Sequence, residues 1–259
     1  MRPLITLTTD FGLSDPFVGI MKGVILNIVP NAEIIDLTHN IEPQNILQAA
    51  WALKSSHSYF PPKTVHLVVV DPEVGSARRP LAVQSVGYHF IGPDNGVLTP
   101  VLNSSAKIYK LNDERFFLNT ISSTFHGRDV FAPVAAWVGK GIAIPKMGRK
   151  IKDPIKLDLV EPSIQSKALR GQIIYIDHFG NLISNISSQA LKIFSSGKYK
   201  NLIVKLGTRK IISFAAYYSQ CKKGDFGAIL NSWNVLEVFC CGGNASKKLK
   251  RKVGDPIAV

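Results

Sequence analysis

The stretch Leu4–Val29, LITLTTDFGLSDPFVGIMKGVILNIV, changes its hydrophobic period halfway along. Leu4 to Asp10 reads as a buried strand closed by a carboxylate, whereas after Pro16 the apolar residues recur at helical spacing. Proline suits the first turn of a helix, where its missing N–H would have no partner. The alternation continues outward: AEIIDLTHN (32–40) predicts a second strand, QNILQAAWALKSSHSYF (44–60) a second helix and VHLVVVD (65–71) a third strand. Strands that alternate with helices form a mostly parallel sheet covered by flanking helices, which sets an α/β class for this half of the chain. HGRDVFAPVAAWVG (126–139) predicts one more helix.

The character changes at KMGRKIKDPIKLDLVEPSIQSKALRG (146–171), rich in Lys and Pro and poor in long apolar runs. Beyond it QIIYID, NLISNI, NLIVKL, RKIISF, DFGAIL, VLEVFC and DPIAV are short, β-rich segments punctuated by turn residues. They predict a smaller, all-β, barrel-like domain. The expected division is 1–160 for the α/β domain and 168–259 for the β-barrel domain.

Composition narrows the function classes. The 259 residues are 46% hydrophobic and 19% charged, without a low-complexity tract, which predicts an ordered globular protein. No apolar run approaches the roughly 20 residues that span a bilayer, and the first residues lack a secretory signal pattern, so a cytoplasmic, membrane-free setting is expected. Cys221, Cys240 and Cys241 make neither an even disulfide framework nor a CxxC pair and read as reduced. The net charge of +13 raises nucleic acid as a partner, but the one dense run, KKLKRK (247–252), has no interleaved aromatics and reads as a solvated basic face. No nucleic-acid partner and no metal are expected.

Ligands of open α/β sheets sit beyond the carboxyl ends of the strands. Asp10 and Asp71 close the first and third strands, either as caps of the following turn or as two carboxylates facing one crevice. VVVDPEVGSARRPL (68–81) adds two arginines to the same turn as Asp71. Three more clusters carry polar chemistry: His126, Arg128 and Asp129 at a helix start; Asp177, Phe179 and Asn181 around a Gly turn; and Ser232 followed by a Gly-Gly-Asn-Ala turn at 242–245.

In order and spacing, TLTTDFGLSDPFVGIMKGVI, VVVDPEVGSARRPLAV, FIGPDNGVLTPVL, TFHGRDVFAPVAA, YIDHFGNLISNI and LEVFCCGGNASKKLKRKVGDPI resemble the S-adenosyl-L-methionine hydroxide adenosyltransferases. These adenosine-forming hydrolases are relatives of the fluorinase and chlorinase. The resemblance covers nearly the whole chain and implies an enzyme that hydrolyses S-adenosyl-L-methionine to adenosine and L-methionine, the substrate being its only small molecule and no cofactor being required. It implies a homotrimer with active sites between the N-terminal domain of one subunit and the C-terminal domain of its neighbour. Asp71, Arg78 and His126 match the set that holds and activates the attacking water; Arg79 is the neighbour of the match. Asp10 matches the acid that binds the ribose hydroxyls, Asp177 the acceptor of the methionine ammonium, and Ser232 the hydroxyl near the methionine carboxylate. Phe179, Asn181 and the backbone around Asn244 and Ala245 match the adenine-binding elements.

The sequence departs from the family at two places: Glu73 stands where Gly is usual after Asp-Pro, and Trp233-Asn234 follows Ser232. Positions that hold Tyr, Thr and Ser in the halogenating relatives hold Asp71, Val74 and Gly127 here, and a fixed carboxylate repels a halide. Hydrolysis is the expected chemistry. The guanidinium would stabilise hydroxide character, His126 would accept or relay a proton, and Asp71 would orient both. A non-catalytic sensor that binds S-adenosyl-L-methionine or adenosine is the alternative, kept open by Glu73.

Overall fold

The computed structural model describes residues 2–199 and 202–259. The chain divides into two compact units, Met1–Leu157 and Asp158–Val259. In the first, β1 (Leu4–Thr9), α1 (Phe17–Ile28), β2 (Glu33–Thr38), α2 (Ile46–Ser56) and β3 (Val65–Val69) follow the order read from the sequence. Pro16 is the N-cap of α1, and Asn45 caps α2 by accepting from the Gln48 N–H. The helical period of α1 buries Val18, Met21 and Ile25 along one stripe.

A hairpin follows, β4 (Pro80–Ser85) and β5 (Tyr88–Pro93), turned by Val86 and Gly87, both at positive φ. Positive φ at both central residues is the turn that matches the strand twist, and Val86 tolerates it where Gly or Asn would be usual. After β6 (Lys107–Leu111) the predicted helix at 126–139 is two pieces, a π-helical turn over Gly127–Phe131 and then α3 (Ala132–Gly139); β7 (Gly148–Ile151) completes the sheet. The strand order is β2-β1-β3-β5-β4-β6-β7. The β2, β1, β3 and β5 pairings are parallel, while β4 is antiparallel to β5 and β6, and β7 to β6. Only β4 and β7 therefore oppose the common direction, giving a mixed, mostly parallel sheet.

Helices cover both faces. Val65, Leu67 and Val69 pack with α1 and α3, and Val68 and Val70 pack with α2 and the hairpin. This two-sided burial explains why β3 reads as a continuous apolar run rather than an alternating one. The chain leaves β1 for β2 on one side and returns across it to β3 on the other. The carboxyl ends of β1 and β3 are thus the topological switch point, and the chain passes Asp10 and Asp71 as it leaves these two strands.

The second unit comprises β8 (Ser163–Gln165), β9 (Ala168–Ile176), β10 (Leu182–Ser187), α4 (Ser188–Ser195), β11 (Val204–Leu206), β12 (Arg209–Ile211), β13 (Phe226–Leu230), β14 (Val235–Cys240), α5 (Ala245–Leu249) and β15 (Pro256–Ala258). The order β12-β11-β15-β9-β10-β14-β13 is antiparallel throughout, with β8 paired to β9. Just past β12, Phe214 bridges to Ala228 of β13, which nearly closes the sheet into a barrel around Ile173, Leu182, Leu191, Leu206 and Val238. Of the predicted segments only the first residue of NLIVKL, Asn201, lies outside the described residues. The basic run 247–252 is partly tied down: the Arg251 guanidinium donates to the Leu206 carbonyl and pairs with Asp255.

One buried group of the first unit makes stability depend on pH. His66 is fully buried against Phe90, bonds the Thr6 hydroxyl through Nδ1 at 2.8 Å, and leaves Nε2 without a partner. Burial, reinforced by the neighbouring His57, lowers its pKa to about 3. Because the folded-state value lies below the unfolded 6.5, the unfolded chain binds the extra proton between these values. The stabilisation is complete above pH 6.5 and is lost at up to roughly 1.4 kcal/mol per pH unit as pH falls toward 3. Denaturant titrations at pH 7 and pH 4 should show a large drop in unfolding free energy for the wild type and a smaller one for His66→Leu.

Candidate active site

The turn between β3 and β4 is built around Gly75. Its φ of +79° is the left-handed region, and a Cβ there would lie 2.1 Å from the Ser123 carbonyl oxygen. The turn closes with Val74 N–H donating to the Asp71 carbonyl at 3.2 Å and Ser76 N–H to the Glu73 carbonyl at 3.1 Å. Glu73 itself is exposed, so this departure from the family leaves the turn and its pairing intact.

The two adjacent arginines diverge. Arg79 points away, donating to Asp94 at 2.6 Å and to Asp153 at 2.9 Å, and fastens the segment leading out of the first unit. Arg78 turns inward. Its Nε donates to both Asp71 oxygens at 2.9 and 3.0 Å, its Nη2 also bonds Asp71 Oδ2, and the same Nη2 donates to His126 Nδ1 at 2.7 Å. The Arg78 and Asp71 side chains are only 3% and 5% exposed, and the guanidinium lies over the Phe131 ring at 5.0 Å. Sequence separations of 7 and 48 residues collapse to hydrogen-bond distance because the β3–β4 turn meets the π-helical turn. A π-helical turn of this kind recurs at functional sites.

Arginine has only donors and does not deprotonate in proteins, so His126 Nδ1 must accept and the proton of the neutral ring sits on Nε2. Burial first, and the Arg78 charge second, hold the His126 pKa below 6.5 and favour this neutral form. Of the two expected roles, accepting or relaying a proton, this geometry fits the relay: the ring nitrogen facing the trio is occupied, and the other carries a hydrogen to donate.

Asp71, His126 and Gly127 line a cleft of about 190 Å³ together with Phe11, Phe17 and Phe125, whose rings meet edge-on at 5.2–5.8 Å. The aromatic lining was not read from the sequence, although Phe125 beside His126 carried the signal. Arg128 and Asp129, the other members of that sequence cluster, are spent on structure: Arg128 Nε donates to Asp129 at 2.5 Å, and the fully buried Asp129 accepts the Ser122 N–H at 2.7 Å. Asp10 accepts the Gln44 N–H at 2.8 Å through one carboxylate oxygen.

The other predicted residues belong to the second unit. Asp177 caps its own turn, one oxygen accepting the Asn181 N–H at 2.8 Å and the other the Asn181 side-chain amide at 2.9 Å. Phe179, at the tip, is 72% exposed. The turn is stitched to the start of α5: Ser246 N–H donates to the Gly180 carbonyl, and the Asn244 amide, which caps α5 through Lys247 N–H, occupies the space a Cβ on Gly180 would need. Ala245 is buried beneath it. The structure thus brings Asp177, Phe179, Asn181, Asn244 and Ala245 together on two joined turns. Ser232 is exposed on a separate turn at 231–234. Among the described residues no cluster of three or more His, Cys, Asp or Glu side chains is arranged to hold a metal ion, and no helix is long and apolar enough to cross a membrane.

An α/β unit with an Asp-Arg-His trio at its switch point, joined in sequence to a β-barrel-like unit with polar turns, defines a narrow class of two-part proteins. Residues 5–148 match the N-terminal domain and residues 171–258 the C-terminal domain of the SAM hydroxide adenosyltransferases, and the chain belongs to that family. It is 37% identical to the (R)-S-adenosyl-L-methionine hydrolase of Methanocaldococcus jannaschii, across 99% of this chain and 95% of that one. The hydrolase of the same name from Thermus thermophilus is 33% identical over 99% of both chains. A fluorinase from Nocardia brasiliensis is more distant, at 25% identity over 79% of this chain and 78% of its own. Among solved structures, an uncharacterized conserved protein from Thermotoga maritima superposes with a TM-score of 0.93 at 34% identity, over 98% of each chain.

Proposed function

We propose that the protein hydrolyses S-adenosyl-L-methionine to adenosine and L-methionine by in-line attack of a water-derived hydroxide on C5′. The observation that carries this reading is the Arg78 guanidinium held at once by Asp71 and His126 beside an aromatic-walled cleft. Bulk water, with a pKa of about 15.7, supplies almost no hydroxide at neutral pH. Arg78 keeps its positive charge, and the His126 Nε2–H is a second donor, so a water bound here is offered donors that strengthen as it becomes anionic. Asp71, engaged by Arg78 through both oxygens, aims the fork.

The water loses one proton to solvent as it ionises. Its oxygen then bonds C5′ while the C5′–S bond breaks, and sulfur keeps the electron pair as the neutral thioether of methionine. Hydroxide attacking a sulfonium substrate cancels charge on the way to the transition state, and a water-poor cleft favours that. In this reading Asp10 binds the ribose hydroxyls with its remaining lone pairs, Asp177 the ammonium, Ser232 the carboxylate, and Phe179, Asn181, Asn244 and Ala245 the adenine.

The first unit's cleft falls below the roughly 300–1,000 Å³ usual for enclosing a whole small molecule. We therefore propose that residues 1–160 supply the reacting end and residues 168–259 the adenine and amino-acid ends, the two halves coming from neighbouring subunits of a homotrimer. Three free cysteines suit a reducing, cytoplasmic setting.

The test is to incubate the purified protein with S-adenosyl-L-methionine in heavy-oxygen water and separate the products. Adenosine carrying the label in its 5′-hydroxyl, with unlabelled methionine, is expected, and His126→Ala should lower the rate by about 10²-fold. Binding without either product would select the sensor alternative; labelled homoserine with 5′-methylthioadenosine would place the attack on the methionine side chain and exclude C5′.

A further inference from the structure

Glu237 is the one carboxylate in the apolar strand β14, and alternation would place it on the barrel's outer, solvated side. It is instead 2% exposed. Its register neighbours across the sheet are Ile183, Tyr175 and Ile229, the face opposite the barrel core. Both its oxygens are held by neutral donors: the Tyr218 hydroxyl at 3.0 Å and the Asn231 side-chain amide at 3.0 Å. Asn231 passes the constraint on, its amide oxygen accepting the backbone N–H of Trp233 at 3.0 Å and of Val235 at 3.3 Å. Those bonds define the turn that carries Ser232. Trp233 in turn meets Tyr175 edge-on at 5.2 Å, two residues before Asp177.

The electrostatics are unbalanced. Among the described residues no Lys, Arg or His forms an ion pair with Glu237, although the chain has an excess of 13 cations. Burial, and then the negative charge of Asp177, oppose its ionisation, while Asn231 and Tyr218 favour it. Burial and the same two acids raise the Tyr218 pKa to about 12. A buried carboxylate is normally compensated by a cation, and here none of the described residues supplies one.

We propose that Glu237 is a positioning residue for the amino-acid end of the substrate: it fixes the Ser232 turn through Asn231, and its buried carboxylate, held by the neutral donors Tyr218 and Asn231, is balanced when the substrate's ammonium binds. This rests on the assignment of S-adenosyl-L-methionine to the site, and it adds a residue to the recognition of the ammonium beyond Asp177. Gln at this position keeps an oxygen for Asn231 and an amide for Tyr218 but removes the charge, so the turn is retained and only the electrostatic share is lost.

The experiment compares wild type and Glu237→Gln in three measurements: turnover of S-adenosyl-L-methionine, binding of adenosine, which lacks the amino-acid end, and thermal unfolding. The expected result is a KM raised about tenfold, kcat within about twofold, and unchanged adenosine affinity. Unchanged KM, or adenosine binding weakened as much as KM rises, would overturn the proposal. If Glu237→Gln does not fold, Tyr218→Phe decides: Tyr218 is 49% exposed, and loss of its donor should raise KM a few-fold with adenosine affinity kept. A wild type that turns over no S-adenosyl-L-methionine yet binds adenosine would instead fail the hydrolase reading, separately from the outcome for Glu237.

Discussion

Arg78→Ala is expected to lower kcat by on the order of 10³-fold while adenosine still binds. The side chain is the hub of the trio: without it Asp71, with a side chain only 5% exposed, is left without its ion-pair partner, and His126 loses the donor that fixes its tautomer. The variant therefore loses both the cationic donor that favours hydroxide character and the fork that orders Asp71 and His126. Removing one partner of a buried pair also costs about 3–5 kcal/mol of stability, which calorimetry should detect as a lowered Tm. Arg78→Lys restores the charge but not the planar fork that reaches Asp71 and His126 together, and it should recover little of the rate. A kcat near wild type for Arg78→Ala would remove the trio from the mechanism.

The second large effect is expected at a residue with no chemistry. Gly75→Ala puts a methyl group 2.1 Å from the Ser123 carbonyl oxygen and an L side chain at φ +79°. The contact is with backbone, so no side chain can swing aside. Either the β3–β4 turn or the loop that carries Ser123 and Thr124 toward His126 must shift. A loss of about 2–4 kcal/mol is expected from denaturant unfolding. Because Asp71 and Arg78 sit on one of those segments and His126 on the other, kcat should fall by about 10²-fold even in the folded fraction, the effect of misplacement by about 1 Å. At Gly87, where a Cβ meets nothing within 4 Å, alanine pays only the backbone cost and should spare activity.

Much of the molecule was legible in the residue order. The change of period after Asp10 and the repeated strand-helix units set the α/β class, because apolar spacing reports directly which backbone geometry can bury one face. The short β-rich segments after residue 171 did the same for the barrel. The site motifs were legible too, since the resemblance rests on residues that lie close together in sequence. The antiparallel members β4 and β7 were not, because a hairpin added to a parallel sheet carries no signal beyond its own alternation.

Three matters belonged to the tertiary structure alone. The resemblance picked Arg78 from the adjacent pair, but what holds Arg79 away from the site, Asp94 and Asp153, reaches it only in the folded chain. The protonation of His126 followed from a donor 48 residues away. Glu237 carried no signal in the sequence, because alternation specifies the side of a strand and not what covers it; its partners come from the segments bearing Tyr218 and Asn231. Local periodicity fixes which way a side chain points, whereas its partners, charge and solvent are set by segments that meet only when the chain is folded.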